Sequence, residues 1–506
     1  MIKNIKWLLM ASLVIVSCNS DDEAVVDPNS TDGTPLTAGS ADFSKYVALG
    51  DSFAAGFSDN ALFAEGQKNA YPNIIATQFA LVGGGEFTTP FMADNIGGFS
   101  SGGVQIPQFG PRLWFNAATS TPLPVSGVSA TDISTHLSGS FNNMGLPGAK
   151  ATHLGVAGYG AANPYFGRIA SGAGASVVGD AIAQNPTFFS LWIGGNDVLG
   201  YATSGGDGSN PITPPATFNT AYGALASQLS AGGRKGVVAN LPYINTLPFF
   251  TTVPYNPLTT SVLGQGNVAV GEATINALNA QLYGPLDAIF TALGEPNRIN
   301  PLSATAANPI LINDADATDR SAQITGALTP TLGATTAAAF GAVFGKARQA
   351  TSADLVVLPA SSVIGTTNSA APAGINKNGV TFPMANKWVL TATEKARVAA
   401  ATTAYNNSII AIAATKNLAV ADMNAVMNQL VSGLQVETNS IYTANYFSGS
   451  GTEGQVLFSL DGVHPNARGY AVIANEIIKT INAKFKSNLP LHNPTYFPGI
   501  SILPTN

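Results

Sequence analysis

The sequence predicts an α/β protein with a parallel sheet, and three observations carry that prediction. Short apolar runs at residues 46–49, 187–193, 236–240 and 418–422 each stop at a polar or glycine-rich turn, as buried strands do. Segments with helical apolar spacing lie between several of these runs. Strand and helix therefore alternate along the chain, the pattern of strands joined by crossover helices packed on a parallel sheet.

The composition supports a packed core. Of 506 residues, 45% are hydrophobic and 10% charged, so enough apolar surface is available to offset the entropy of folding and global disorder is excluded. There are 22 Lys and Arg against 28 Asp and Glu, for a net charge of −6, and no basic cluster to meet phosphates. Nucleic acid is not an expected partner. The single cysteine, Cys18, leaves no intramolecular disulfide, thiolate metal cluster or CxxC redox pair.

Taken in order, the chain opens with Lys3 and Lys6 ahead of an apolar run at 7–16. That run is too short to span a bilayer as a helix and has the shape of a secretory signal over residues 1–17. Ile15-Val16-Ser17-Cys18 resembles the lipobox of bacterial lipoproteins, which implies lipidation of Cys18, a membrane anchor and a place in the cell envelope, at the outer membrane. Asn19-Ser20-Asp21-Asp22-Glu23 resembles the acidic tag that sends some lipoproteins to the cell surface. Residues 18–41, poor in apolar periodicity, read as a flexible tether reaching roughly 25–30 Å.

The folded body is expected over 42–486. The run at 46–49 ends at Gly50-Asp51-Ser52 and is followed by a helical turn at 53–57. Phe218, Tyr222, Leu225 and Leu229 share one helix face, and Thr391 to Glu394 forms a capping box ahead of Val398, Tyr405, Ile409 and Ile412. A last helix is expected over 467–485, with Asn466 as N-cap and Tyr470, Ile473, Ile477 and Ile481 facing the core. The Gly-, Ala-, Thr- and Pro-rich stretches at about 83–140 and 243–387 are too long for connections and read as insertions with structure of their own. Residues 487–506 form a C-terminal tail.

Three pieces carry chemistry. Ser52, at a strand end and a helix start, presents its hydroxyl where the helix N-terminus favours negative charge. Asn196, after the apolar run at 188–193 and Gly194-Gly195, holds an amide that can donate to an oxyanion. Asp461, three residues before His464, can meet the imidazole within one turn and fix its tautomer. Each alone is also an ordinary cap or turn sequence. Together they supply nucleophile, oxyanion donor, orienting acid and base from successive strand ends, the edge at which open α/β sheets bind ligands.

These pieces closely resemble blocks I, III and V of the SGNH hydrolases, the GDSL esterase/lipase family, in that family's chain order. Residues 143–148, Asn-Met-Gly-Leu-Pro-Gly, resemble block II, with Gly148 at the position whose N–H completes the oxyanion hole. The resemblance implies a doubly wound five-stranded parallel sheet flanked by helices, here with large insertions. It implies a serine hydrolase of carboxylic esters in which Ser52, His464 and Asp461 act in acyl transfer, with Ser52, Gly148 and Asn196 holding the oxyanion. No metal or organic cofactor is expected. The stretch from Asp197 to Asp461 is far longer than the family's usual spacing, so the resemblance carries over the catalytic core but not the substrate pocket.

Phe53, Phe57 and Phe63, with Leu247, Phe249 and Phe250, favour acyl-lipid esters as substrates. The alternatives are a glycan O-deacetylase with the same chemistry and a non-catalytic surface-binding lipoprotein on the same scaffold. His153 reads as a structural residue on the helix after Gly148. Asp314, Asp316 and Thr318 resemble the opening of an EF-hand loop, but Asp319 and Thr325 stand where Gly and Glu belong. The GxGxxG spacing at 449–454 is followed by an extended run, not the helix that dinucleotide binding needs.

Overall fold

In a computed structural model, residues 33–449 and 453–502 are described; the signal segment, Cys18 and most of the expected tether lie outside them. The central sheet has five parallel strands: β1 (Tyr46–Gly50), β2 (Asn143–Gly145), β3 (Phe188–Trp192), β4 (Lys235–Ala239) and β5 (Ala419–Ala421), in the spatial order β2-β1-β3-β4-β5. Every residue of β1 and β3 is buried, because helices cover both faces. Tyr46 pairs with Phe188 and Leu49 with Leu191, while Leu49 meets Met144 on the other side.

The chain leaves β1 toward β2 and then returns to add β3 on the opposite flank. The strand order therefore switches between β1 and β3, which opens a crevice at their C-terminal ends. β2, only three residues long, is too short for periodicity to mark and is legible in sequence only as a turn motif. Gly145 explains its seat, since a Cβ there would stand 2.2 Å from the Ala55 nitrogen. The absence of a side chain lets the turn that carries Ser52 lie directly on the strand.

The helices flanking the sheet are α1 (Ser52–Ala55), α2 (Tyr71–Ala80), α3 (Val177–Ala183), α4 (Asn196–Thr203), α5 (Pro215–Leu229), α6 (Ala392–Thr415), α7 (Met423–Ser432) and α8 (Ala467–Phe485). α2 packs on α8, and α5 packs on α3 and α6. Aromatic contacts tie α2 to the sheet: Phe79 stacks on Phe43 at 3.9 Å and meets Phe188 edge-on at 5.5 Å. The expected caps are present, with Thr391 and Glu394 bonded reciprocally and Asn466 accepting from the Gly469 N–H.

Both long insertions are structured. The stretch at 83–140 holds two short antiparallel pairs, Ser100–Ser101 with Val104–Gln105 and Leu113–Asn116 with Thr121–Pro124. The stretch at 243–387 includes helices Val268–Leu278, Gly284–Ala292, Ser321–Leu332 and Ala334–Phe344, around a separate core that contains Tyr283, Phe290, Leu311 and Phe344.

Two boundaries differ from expectation. The tether stops being free before residue 41, because the Thr37 N–H donates to Asn488 Oδ1 at 2.7 Å and the Ser40 N–H to the Phe485 carbonyl at 2.8 Å. A helix C-terminus leaves carbonyls without partners, and the incoming chain supplies one. The tail is likewise pinned, with Leu489 and Ile500 buried and the Phe115 N–H donating to the Ser501 carbonyl. Among the described residues, no helix is long and apolar enough to cross a membrane.

Candidate active site

Ser52 is the first residue of α1, directly after β1, and Asp51 caps this turn by accepting from the Phe53 N–H at 3.0 Å. His464 lies in the loop before α8. Its Nε2 is 2.8 Å from Ser52 Oγ, and its Nδ1 is 3.0 Å from Asp461 Oδ2. The three residues thus form one hydrogen-bonded chain, as their expected roles require.

The Asp461 carboxylate is saturated with donors. Oδ1 accepts from the N–H groups of Val463 and His464, each at 2.8 Å, and Oδ2 accepts from the Asn60 N–H at 3.0 Å as well as from the ring. Burial pushes this carboxyl upward, but the facing imidazole and these hydrogen bonds outweigh it and hold it below the usual carboxylate range. An anionic carboxylate only accepts, so Nδ1 carries the proton and Nε2 is left to accept from the Ser52 hydroxyl. Phe57 and Phe53 wall the imidazole, with ring centroids 4.7 and 5.3 Å away.

The oxyanion side is built from two turns. Asn196 opens α4, and its Nδ2 donates to the Ala149 carbonyl at 3.0 Å, which fixes the amide and leaves its second N–H available. Ala149 follows Gly148, so the structure brings these two expected donors together. Gly148 is exposed with φ +79, and an added Cβ would meet nothing within 4 Å. Ser52 itself is 7% exposed. Asp197, fully buried, ties the same turns together by accepting from the Ala151 N–H at 2.9 Å.

Two further buried carboxyls flank the triad. Burial raises Asp51 to about 7 against the favourable Phe53 N–H and His464, with Asp197 adding repulsion. Burial also raises Asp59 to about 7, opposed by the Leu460 N–H and reinforced by Asp461. Neither Asp59 nor Asn60 was an expected site residue. Their only sequence signal is a turn-forming Asp-Asn pair, realised at φ 50 and φ 65.

Other expectations find different places. His153 lies in a turn, not on a helix; its Nδ1 accepts from the Lys150 N–H at 3.1 Å and its ring packs 5.0 Å from Tyr159. Phe63 sits beneath the Arg112 guanidinium at 5.1 Å. Phe250 is core, whereas Phe249 donates its N–H to the Gly462 carbonyl in the loop that holds Asp461 and His464. Asp314 and Asp316 bind Arg348 and Arg397, and no group of three or more metal-ligating side chains occurs among the described residues. Residues 450–452 of the glycine run, like Cys18, lie outside the described residues. The sequence matches no protein-family model and no curated protein.

Proposed function

We propose that this chain is a serine ester hydrolase of the SGNH type. The observation that carries the reading is the Ser52–His464–Asp461 chain of hydrogen bonds at 2.8 and 3.0 Å, set at the switch point of a parallel sheet. Three residues separated by 412 positions at most meet in the order that nucleophilic catalysis needs. The sheet order and the partnership of Asn196 with the Gly148-Ala149 turn support the same family.

In this mechanism Ser52 Oγ attacks the ester carbonyl while His464 Nε2 takes its proton, and Asp461 stabilises the imidazolium. The oxyanion is held by the N–H groups of Ser52 and Gly148 and the free N–H of Asn196. His464 then protonates the departing alcohol, and water, deprotonated by His464, releases the acid. The lipobox-like segment at Cys18 supports a lipid-anchored location at the cell envelope for this activity. Hydrolysis of nitrophenyl esters with two to sixteen acyl carbons, beside Ser52→Ala, tests the reading. Loss in the variant supports it, and absence of hydrolysis on every ester favours a binding protein on the same scaffold.

A glycan O-deacetylase is the second reading. A wide groove flanks Asp461, with Phe249, Tyr446 and Phe447 beside the hydroxyls of Ser361 and Ser362. Rings and hydroxyls without cations suit a neutral saccharide. An acetyl optimum in the ester series would favour it.

A further inference from the structure

The residue that precedes Asp461 is held by polar side chains from two other parts of the chain. The Leu460 N–H donates to Asp59 Oδ1 at 3.0 Å, and the Leu460 carbonyl accepts from the Tyr446 hydroxyl at 2.7 Å. These two groups belong to the peptide planes on either side of Leu460, and only two soft torsions lie between such planes. Fixing both planes therefore fixes the direction in which the chain enters Asp461.

Residues 59 and 60 meet this loop three times in succession. The Asp59 N–H donates to Ser459 Oγ at 3.0 Å, Asp59 Oδ1 takes the Leu460 N–H, and the Asn60 N–H donates to Asp461 Oδ2 at 3.0 Å. Both residues are left-handed, with φ 50 and φ 65, a conformation that Asp and Asn tolerate better than other side chains do. The Asp59 carbonyl accepts from the Leu113 N–H at 2.8 Å, which anchors the pair to the first insertion.

Packing alone would not orient the loop. The Leu460 side chain is buried with Phe115, Phe447 and Val456, but apolar contact has no direction, whereas hydrogen bonds do. Bonds within the loop, from the Ser459 N–H to the His464 carbonyl at 2.8 Å and from the Gly462 N–H to the Ser459 carbonyl at 3.0 Å, close it on itself. Residues 59 and 60 fix it relative to α1, which carries Ser52. A carboxyl is costly to bury at this place: burial lifts Asp59 to about 7, with Asp461 adding repulsion, against the Leu460 N–H and the Arg112 charge.

We propose that Asp59 and Tyr446 are positioning residues for the reaction, orienting the two peptides around Leu460 and so aiming the Asp461 carboxylate at His464 Nδ1. The proposal rests on the reading of Ser52, His464 and Asp461 as a catalytic triad.

Three variants of the purified protein test it. Asp59→Ala removes the acceptor, Asp59→Asn restores it without the charge, and Tyr446→Phe removes the donor on the other side. The readout is steady-state hydrolysis of an acetyl nitrophenyl ester, normalised to sites titrated with a fluorophosphonate, so that a variant that merely unfolds loses sites and not kcat. Because misplacing a group by about 1 Å costs up to about 10²-fold, kcat should fall about 10- to 10²-fold in Asp59→Ala and Tyr446→Phe with KM unchanged, and return to within about threefold of wild type in Asp59→Asn. Should Asp59→Ala give no folded sites, Tyr446→Phe decides, since it removes one hydroxyl from a half-buried ring. An unchanged kcat per site in either folded alanine or phenylalanine variant, or a change confined to KM, would overturn the proposal. The proton between His464 Nδ1 and Asp461 gives a second readout, a downfield NMR resonance that should shift in Asp59→Ala and return in Asp59→Asn. That shift in a protein that hydrolyses no ester would uphold the hold on Asp461 and overturn the catalytic reading.

Discussion

The backbone N–H of Asn60 donates to Asp461 Oδ2 at 3.0 Å across 401 positions of sequence. The same oxygen accepts from His464 Nδ1, so a loop that follows Ser52 helps to aim the carboxylate that, in the proposed mechanism, orients the base. Asp461→Asn keeps the shape but puts an amide where Asn60 and His464 both need an acceptor. It should lower kcat on the order of 10³- to 10⁴-fold with little change in KM, through the wrong imidazole tautomer. Steady-state kinetics on a short-chain ester checks this, and a change confined to KM would place Asp461 in binding instead.

Asn196 holds the turn after Gly148 with one N–H, and in the proposed mechanism the other meets the oxyanion. Asn196→Ala should cost about 10²- to 10³-fold in kcat, the usual effect of removing one such donor. A loss below about threefold would show that the backbone donors suffice.

Asp59 is buried, and its carboxyl is raised from 3.8 to about 7. Between those values the folded chain binds a proton that the unfolded chain has released, so stability is full at low pH and falls as pH rises through this window. Asp59→Asn removes the titration while keeping the acceptor that meets the Leu460 N–H at 3.0 Å. The variant should therefore gain on the wild type between about pH 5 and pH 8, on the order of 1–3 kcal/mol. Urea unfolding at both pH values reads the gap, and an equal gap at both would mean that Asp59 titrates near its ordinary value.

Cys18→Ala should abolish incorporation of labelled fatty acid and release the protein from the membrane fraction in cells. Labelling that persists in the variant would remove the lipoprotein assignment without touching the catalytic one.

What the sequence revealed follows the range of the interactions involved. β1, β3 and β4 were legible because each is a run of buried residues closed by a polar turn, and Asp461 with His464 because three positions suffice to join them. β2 was legible only as a motif, since three residues carry no periodicity. Asn60, Asp59 and the docking of Thr37 on Asn488 were illegible, because each depends on a partner about 400 or more positions away. The seating of Phe63 under Arg112 was likewise illegible, since Arg112 stands 49 positions later with no local pattern to announce it.

If His464 activates Ser52 as a nucleophile, as proposed, a fluorophosphonate probe should react at that serine. Peptide mass spectrometry should find one adduct on the peptide that carries Ser52, with none in Ser52→Ala and little in His464→Ala. An adduct on another serine, or none at all in the folded wild-type protein, would contradict the account.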